Sequence, residues 1–468
     1  MTWETVIGME VHVQLKTRTK MFCRCSSDYM GQAPNTHVCE VCLGMPGVLP
    51  VINKAAVEQC LKAALALECD VAEWTKFDRK NYFYPDLPKG YQISQYDLPM
   101  SREGRLELDG RTVRITRVHL EEDTGKSVHA GDSLHGAERS YVDLNRAGIP
   151  LMEVVSEPDL RSSDEARAYA QALRGLMRAI GASDADMEKG QLRAEANVSV
   201  RRVGEAELGV KTELKNINSF RALKLAIDHE VSRQISVLEG GGSVSQETRG
   251  WDEARGVTYS QRSKEFAQDY RYFPEPDLPP LEISRSWLDS LRAGLPELPA
   301  AQRSRLEAAG LSASTASLIV SSQLGDYLDA VVAAGAPLAP AANWLVGEIA
   351  PNLDEREALP ADRLAQIVVA VEAGRLNREQ GKQVLREAWE SGRDPEEIVR
   401  ERGLEQVSDD SALEGWVAEA IEAQPQAVSD FKSGKQQAFG ALMNEVKQRS
   451  GGRADMKRAS ELLRQRLS

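Results

Sequence analysis

The sequence predicts an α+β fold in which a sheet-centred N-terminal region precedes a helical C-terminal half. Residues 5–15, 192–200 and 208–215 alternate apolar and polar side chains, which is typical of strands with one buried face. From about residue 296 onward, Ala- and Leu-rich segments with helical spacing follow a proline-rich stretch. Because 468 residues are too many for one hydrophobic core, we expect about two to four domains.

Composition and the absence of common motifs exclude several classes of protein. The net charge of −13, from 58 basic and 71 acidic residues, argues against non-specific coating of nucleic acid, although it allows a local basic groove. No apolar run reaches membrane-spanning length and no signal pattern is visible, so we expect a cytoplasmic protein without a membrane partner. Neither a Gly-rich phosphate loop nor a Ser or Cys nucleophile motif occurs, so any nucleotide would depend on metal and basic side chains.

The first predicted strand carries two candidate metal ligands, Glu10 and His12. These residues are two apart, so they point the same way from the strand and lie about 7 Å from each other. A carboxylate beside an imidazole can begin a divalent-metal site or an acid–base pair. An ordinary half-exposed strand would show the same alternation. The apolar residues of the opposite face are Ile7, Met9, Val11, Val13 and Leu15.

Four cysteines form two close pairs soon after this strand. The pairs are Cys23 with Cys25 and Cys39 with Cys42. Two tight turns joined by a short loop suit tetrahedral Zn²⁺, and a closed four-thiolate site would be structural because it leaves no position for substrate. Four buried or free thiols are the alternative.

A long loop at residues 76–96 combines basic and aromatic side chains. Prolines and a glycine break any regular element within it. Cations for phosphate and aromatic faces for bases are what a protein needs to hold single-stranded nucleic acid or a nucleotide. A loop packed down by its own tyrosines is equally consistent with this composition. The basic residues are Lys76, Arg79, Lys80 and Lys89, and the aromatic ones are Tyr82, Phe83, Tyr84, Tyr91 and Tyr96.

Three consecutive acids, Glu121, Glu122 and Asp123, end the strand predicted at 111–122. Mutual repulsion makes such a triplet costly to hold together, and a bound cation would relieve that cost. A solvated turn is the alternative.

The second and third alternating segments add carboxylates to a polar face. If they form a hairpin that turns about Gly204, Glu195 lies opposite Glu213 and Asn197 lies opposite Lys211. Two carboxylates facing each other about 5 Å apart destabilise a sheet unless a cation or a shared proton intervenes. The pair therefore predicts a metal site and supplies partners for the polar residues of the first strand.

The end of the chain is locally basic, with seven Lys or Arg against three Asp or Glu in residues 441–468. A small helical domain with a basic face suggests contact with RNA. A solvated helix with the usual mixture of charges is the alternative.

Several long segments of the chain, in order, resemble the B-subunit family of the aspartyl/glutamyl-tRNA(Asn/Gln) amidotransferase. The resemblance covers essentially the whole sequence. The segments that carry it are Val6–Thr17, Phe77–Gln95, Leu120–Lys126, Val142–Leu151, Leu192–Val200 and Glu213–Arg221.

The resemblance implies a domain layout. We expect a cradle domain with the catalytic activity at residues 1–295, including the cysteine element at 23–42. A helical domain at 296–357 and a small YqeY-like helical tail domain at 358–468 should follow.

The resemblance also implies a ligase of protein biosynthesis that binds ATP and tRNA. Such a protein uses ATP and Mg²⁺ to phosphorylate the side-chain carboxylate of Glu or Asp misacylated onto tRNA(Gln) or tRNA(Asn). Ammonia then displaces phosphate. The ammonia comes from glutamine hydrolysed by an A subunit, an amidase, and a small C subunit completes a heterotrimer. Which mischarged tRNA is the cellular substrate stays open.

Carried over residue by residue, the resemblance implies the functional residues. The magnesium ligands would be Glu10, His12, Glu122, Glu195 and Glu213, although family members often have Asp where this chain has Glu195. The cysteines Cys23, Cys25, Cys39 and Cys42 would hold structural Zn²⁺. The catalytic residues would be Glu10, His12, Glu122 and Lys80, and the ATP-binding residues Arg79, Tyr82, Lys211 and Asn216.

Three alternatives remain at this stage. An archaeal-type E subunit shares the cradle but carries an inserted domain for which this chain has no room. A non-catalytic RNA-binding scaffold would explain the basic and aromatic loop but not the carboxylates of three strands on one face. A free-standing metal phosphotransferase would act on a small molecule without any partner chain.

Overall fold

The computed structural model describes residues 2–108, 110–129, 139–263, 270–352, 359–405 and 409–467. The chain divides into two compact units, Met1–Ala301 and Gln302–Ser468. The predicted boundary at 357/358 lies outside the described residues.

The strands of the described residues all belong to the first unit. They are β1 (Trp3–Gln14), β2 (Asp70–Val71), β3 (Trp74–Thr75), β4 (Asp78–Asn81), β5 (Tyr91–Ser94), β6 (Ser101–Leu108), β7 (Arg111–Glu122), β8 (Lys126–His129), β9 (Ser140–Asp143), β10 (Pro150–Ser156), β11 (Leu192–Arg202), β12 (Thr212–Lys215), β13 (Glu247–Asp252), β14 (Val257–Ser263), β15 (Phe273–Pro274) and β16 (Leu281–Glu282).

Helices occur in both units. They are α1 (Lys54–Ala66), α2 (Ser163–Ala179), α3 (Phe220–Glu239), α4 (Arg285–Ala293), α5 (Pro299–Ala308), α6 (Ala313–Ser321), α7 (Gly325–Ala333), α8 (Leu338–Trp344), α9 (Ala361–Glu372), α10 (Arg378–Ser391), α11 (Pro395–Arg402), α12 (Asp410–Ala423), α13 (Pro425–Lys432), α14 (Gln437–Arg449) and α15 (Met456–Leu467). No described helix is long and apolar enough to cross a membrane.

Nine of the described strands form one mixed sheet with β1 at its centre. The order is β14-β13-β12-β11-β1-β10-β7-β6-β2. The pair β12–β13 is parallel and the other neighbours are antiparallel. Shorter ladders join β15-β4-β5, β16-β3 and β8-β9.

One face of this sheet is the hydrophobic core of the first unit. The apolar side chains of β1, such as Ile7 and Val11, are fully buried there, and α1, α2 and α3 pack over the same face. Each fully buried side chain of this size contributes about 1.5–3 kcal/mol. The three helices begin at side-chain caps, Asn53, Ser162 and Ser219, whose oxygens accept hydrogen bonds from backbone N–H groups of the first turn. The opposite face of the sheet carries the polar side chains of β1, such as Glu10 and His12.

The predicted register of the β11–β12 hairpin is wrong by two residues. Glu213 lies opposite Asn197, because the irregular connection at 203–211 is not centred on Gly204. Glu195 instead faces Glu10 across the β1–β11 pair. The two acids of the prediction still share one face of the sheet, since a shift of two residues preserves the alternation.

The second unit contains two hydrophobic cores built from helices. The first includes Leu306, Trp344, Leu364 and Ile398, so residues on both sides of the predicted boundary pack together. The second includes residues of α12, α14 and α15.

The predicted basic tail is partly neutralised by its own neighbours. Arg458 pairs with Asp410 at 2.7 Å, and Arg449 pairs with Glu419 at 3.2 Å. Because both acids belong to α12, part of the positive charge of residues 441–468 is compensated within the unit. Contact with RNA by this tail stays a prediction.

Candidate active site

Charged side chains from five adjacent strands meet on the polar face of the large sheet. The alternation of each strand turns these residues away from the core. The contributors are Glu10 and His12 from β1, Glu153 from β10, His119 and Glu121 from β7, Glu195 from β11, and Glu213 and Lys215 from β12.

The first potential metal-binding group consists of His12, Glu121 and Glu153. His12 Nε2 lies 3.4 Å from a Glu153 oxygen and 3.6 Å from a Glu121 oxygen. Both carboxylates are almost fully buried. His119 Nε2 lies 3.5 Å from the same Glu153 oxygen, so this carboxylate lies between two imidazoles.

The second potential group consists of Glu10, His12 and Glu195. His12 Nε2 lies 4.0 Å from Glu10 Oε1, so this imidazole belongs to both groups. Lys215 Nζ lies 2.8 Å from Glu195 and 3.6 Å from Glu213, and it partly offsets the repulsion at this edge. Glu213 also accepts a hydrogen bond from Thr248 at 2.8 Å.

The protonation of these groups reflects their crowding. Burial and the neighbouring charge of Glu153 raise the pKa of Glu10 to about 7. Burial would lower the pKa of His12, but its hydrogen bond to Glu153 and the charge of Glu121 raise it to about 9. Burial alone would raise the pKa of Glu153, but contact with His119 and His12 holds it well below its usual range.

The donor atoms of the two groups fit a divalent cation with hard ligands. Carboxylate oxygens and one imidazole nitrogen are the set that Mg²⁺ or Mn²⁺ accepts. Among the described residues, Asn197 Oδ1 is buried beside Glu195 and Glu213 without a hydrogen-bond partner. A bound cation or its water would satisfy this oxygen and relieve the repulsion between the carboxylates.

Lys80 lies beside this site and forms no ion pair with the described residues. The other three basic residues of the predicted loop are each paired with a carboxylate. The Lys80 ammonium lies 4.8 Å from the ring centre of Tyr270 and 5.9 Å from that of Tyr82. Burial opposes the charge, but Tyr272 and the carboxylate of Glu121 hold the pKa of Lys80 above its usual value.

The four cysteines form a separate potential metal site, as their spacing predicted. The Sγ atoms of Cys23, Cys25, Cys39 and Cys42 all lie within 4.8 Å of one another. Cys39 and Cys42 are 3.9 Å apart, close to the roughly 3.8 Å between sulfurs in a tetrahedral zinc site. Soft thiolates favour Zn²⁺ over the hard cations that suit the carboxylate groups.

Comparison with known proteins assigns a family to this arrangement. A family model described as the GatB/GatE catalytic domain matches residues 5–289, and a GatB domain model matches residues 326–467. The B subunit of the aspartyl/glutamyl-tRNA(Asn/Gln) amidotransferase from Moorella thermoacetica is 51% identical, with both chains covered completely. The protein of the same name from Carboxydothermus hydrogenoformans is 49% identical, over 100% of this chain and 99% of that protein. A protein of this name from Thermus thermophilus is 50% identical, over 97% of this chain and 96% of its own length.

This chain belongs to the B-subunit family of the aspartyl/glutamyl-tRNA(Asn/Gln) amidotransferase. The membership confirms the resemblance found in the sequence and the predicted amidotransferase class. Together with the mixed sheet and the helical second unit, it also confirms the predicted α+β fold.

The three acids of the triplet in this amidotransferase chain have three different environments. Glu121 faces the site with His119, whereas Glu122 points to the other side of β7. There Glu122 accepts hydrogen bonds from Lys89 and from the backbone of Ile93, and it lines a pocket of about 180 Å³ beside the cysteines. The structure therefore does not bring Glu122 together with the predicted magnesium ligands, because the alternation of β7 continues to its last residue.

The third acid, Asp123, pairs with Arg193. Each of its oxygens lies 3.1 Å from an Arg193 nitrogen, and Gln14 donates a further hydrogen bond at 2.7 Å. Burial alone would raise the pKa of Asp123, but the charges of Arg193 and Arg146 lower it to about 2. Asp123 therefore stays charged and supports the strands next to the site.

Two ligand candidates escaped the sequence prediction of this amidotransferase site. In the sequence Glu121 stands out only as part of the acid triplet, although its spacing of two residues from His119 predicts that both side chains point to the same face. Glu153 lies on β10, where Leu151 and Val155 occupy the same face. This strand is apolar on both faces, so its sequence carries no period-two signal.

The predicted ATP-binding residues are dispersed. Arg79 lies on the other face of β4 from Lys80, with its guanidinium 2.7 Å from Glu275 and 3.2 Å from Asp277. Tyr82 lies beside Lys80. Lys211 and Asn216 are exposed residues that flank β12, and Asn216 has a left-handed backbone with φ of 58°. The structure brings Tyr82 to Lys80 and leaves Arg79 committed to two carboxylates.

Proposed function

We propose that this chain activates the side-chain carboxylate of Glu-tRNA(Gln) or Asp-tRNA(Asn) with ATP and then transfers ammonia to it. The observation that carries the proposal is the presence of two potential metal-binding groups that share His12. The ammonium of Lys80 lies beside them and forms no ion pair with the described residues. Family membership supports the assignment of the reaction to this site.

The proposed chemistry is a phosphoryl transfer followed by an amidation. A carboxylate oxygen of the substrate attacks the γ-phosphorus of ATP, and ADP leaves. Ammonia then attacks the acyl carbon, and phosphate leaves. Bound Mg²⁺ would neutralise the negative charge that gathers between ATP and the substrate carboxylate.

The residues of the chain hold and orient the reactants. We propose Glu10, His12 and Glu195, with Glu213 beside them, as one magnesium-binding group, and His12, Glu121 and Glu153 as another. Glu121 takes the place predicted for Glu122.

Contacts with the reactants come from outside these groups. Lys80 would attract the substrate carboxylate or a phosphate oxygen, since its ammonium forms no direct ion pair with the described residues. Tyr82, Lys211 and Asn216 remain the proposed contacts to ATP, and Arg79 would need to leave Glu275 to join them.

The proposed assembly contains more than one chain. Ammonia would come from a glutamine-hydrolysing A subunit, and a small C subunit would complete a cytoplasmic heterotrimer. The four cysteines would hold a structural Zn²⁺, because a closed four-thiolate site offers no position to a reactant.

Reconstitution tests this function directly. The chain is co-expressed with its A and C partners, and Gln-tRNA and Asn-tRNA formation is measured from each mischarged tRNA with ATP and glutamine. We expect amidation that requires ATP, Mg²⁺ and all three chains. Phosphorylation of a free amino acid by this chain alone would instead identify a free-standing phosphotransferase.

Magnesium affinity should rise steeply with pH. Metal ligands must be deprotonated, and the metal-free pKa values are about 7 for Glu10 and about 9 for His12. Below pH 7 binding releases at least two protons, since burial also raises the pKa of Glu121, so affinity rises about a hundredfold or more per pH unit. Between pH 7 and 9 it releases about one, giving about tenfold, and above pH 9 the affinity levels off.

Isothermal titration in buffers of different ionisation enthalpy measures these proton releases. The Glu10→Gln variant is the control, since it removes one titrating ligand and should release about one proton fewer than the wild type below pH 7. A magnesium affinity independent of pH from 6 to 9 would contradict the assignment of His12 and Glu10 as ligands.

A further inference from the structure

Lys20 is a fully buried lysine at the edge of the four-cysteine site. Its exposed fraction is 0%. Its ammonium contacts Cys42 Sγ at 3.8 Å and the carbonyl oxygen of Leu144 at 3.4 Å, and no carboxylate partner occurs among the described residues. Lysines are almost never buried to this extent without a paired anion. The position therefore requires negative charge from the sulfur atoms.

The four cysteines supply the most negative charge when they hold a metal. Without a metal, a single thiolate at Cys42 can face the ammonium, but further thiolates would repel it strongly at the observed separations. Four thiolates around one Zn²⁺ carry two net negative charges. The Lys20 ammonium, 3.8 Å from Cys42 Sγ, compensates part of this excess charge without binding the metal itself.

We propose that Lys20 is the built-in counter-charge of a zinc–tetrathiolate centre and sets how tightly the four cysteines retain the metal. It acts through Cys42 and is a positioning residue, not a ligand. The proposal rests on the zinc assignment made above, but not on the amidation reaction.

Lys20 and residues near it connect the four-cysteine site to the loop before β10. Besides the Lys20 contact with Leu144, the backbone N–H of Met21 donates to Gly148 at 2.7 Å. The Asn145 side chain accepts from the backbone of His37 at 2.8 Å. Metal loss should therefore loosen residues 144–148, which carry Arg146 towards Asp123.

The test compares Lys20→Met with Lys16→Met. Methionine keeps the length of the lysine stem without its charge, and Lys16 is an exposed residue whose partner is Asp184. Zinc content and affinity are measured by competition with a chromophoric chelator, with zinc as the only added ligand. We expect about a tenfold to hundredfold weaker zinc affinity in Lys20→Met and an unchanged affinity in Lys16→Met.

Thermal unfolding with zinc and with excess chelator separates this role from ordinary packing. With zinc, Lys20→Met should have a lower Tm than the wild type. Without zinc the loss of Tm should be smaller, since at most one thiolate then faces the ammonium. Hydrogen exchange at residues 144–148 should increase in the zinc-free wild type.

Three results would overturn the inference. Equal zinc affinity in Lys20→Met and wild type, or a Tm loss that is the same with and without zinc, would make Lys20 a packing residue. If the wild-type chain bound no zinc, the inference would fail because no zinc centre would exist. The amidation assay tests the proposed function independently of this result.

Discussion

Replacing His12 with Ala should lower the rate of amidation by about a thousandfold or more, with little change in tRNA binding. The reason is that His12 belongs to both potential metal groups, so its loss weakens each of them. The measurement is kcat and KM for mischarged tRNA in the reconstituted complex, together with Mg²⁺ affinity by titration.

The matched control is His37→Ala. His37 lies in the four-cysteine element, and its described contact with Asn145 uses its backbone. We expect amidation near the wild-type rate in this variant. Retention of most activity and of Mg²⁺ affinity in His12→Ala would reject the proposed site.

Replacing Lys80 with Met should lower kcat by about a hundredfold to a thousandfold while leaving the Tm nearly unchanged. Lys80 has no ion pair among the described residues, so methionine, which keeps the length of the side chain, breaks no direct contact with a carboxylate. The charge is lost where a carboxylate or phosphate would bind. Steady-state kinetics and Tm are measured on the same preparations.

The matched control for this variant is Lys76→Met on the segment before β4. Lys76 pairs with the buried carboxylate of Asp78 and with Asp97. Its replacement should leave Asp78 unpaired and destabilise the fold by about 1–3 kcal/mol, with kcat retained. If Lys80→Met instead lost stability and kept its kcat, Lys80 would be a structural residue.

The sequence was sufficient where one strand carries a clear alternation. In β1, the apolar residues fixed the core face, and Glu10 and His12 therefore had to point to the site. The spacing of the four cysteines likewise predicted their convergence, because a short loop can return the second pair to the first.

Long-range geometry could not be predicted in the same way. The register of β11 and β12 depends on the irregular connection 203–211, whose conformation local sequence does not determine. The choice between Glu121 and Glu122 depends on the irregularity of β7 between Ile115 and Arg117, which shifts the alternation by one residue and has no signal in the local sequence. Glu153 is hidden in an apolar strand that pairs with β1 only in the folded sheet.

The central position of β1 also determines when the site can come into existence during synthesis. This strand is synthesised well before its neighbours in the sheet, β10 and β11, since Glu10 pairs with Val155 and Glu195. Until both neighbours have emerged, an apolar strand with two unpaired edges must remain unassociated. A nascent chain that stops before β11 therefore exposes an aggregation-prone segment and lacks Glu195 and Glu213, two of the six proposed metal ligands.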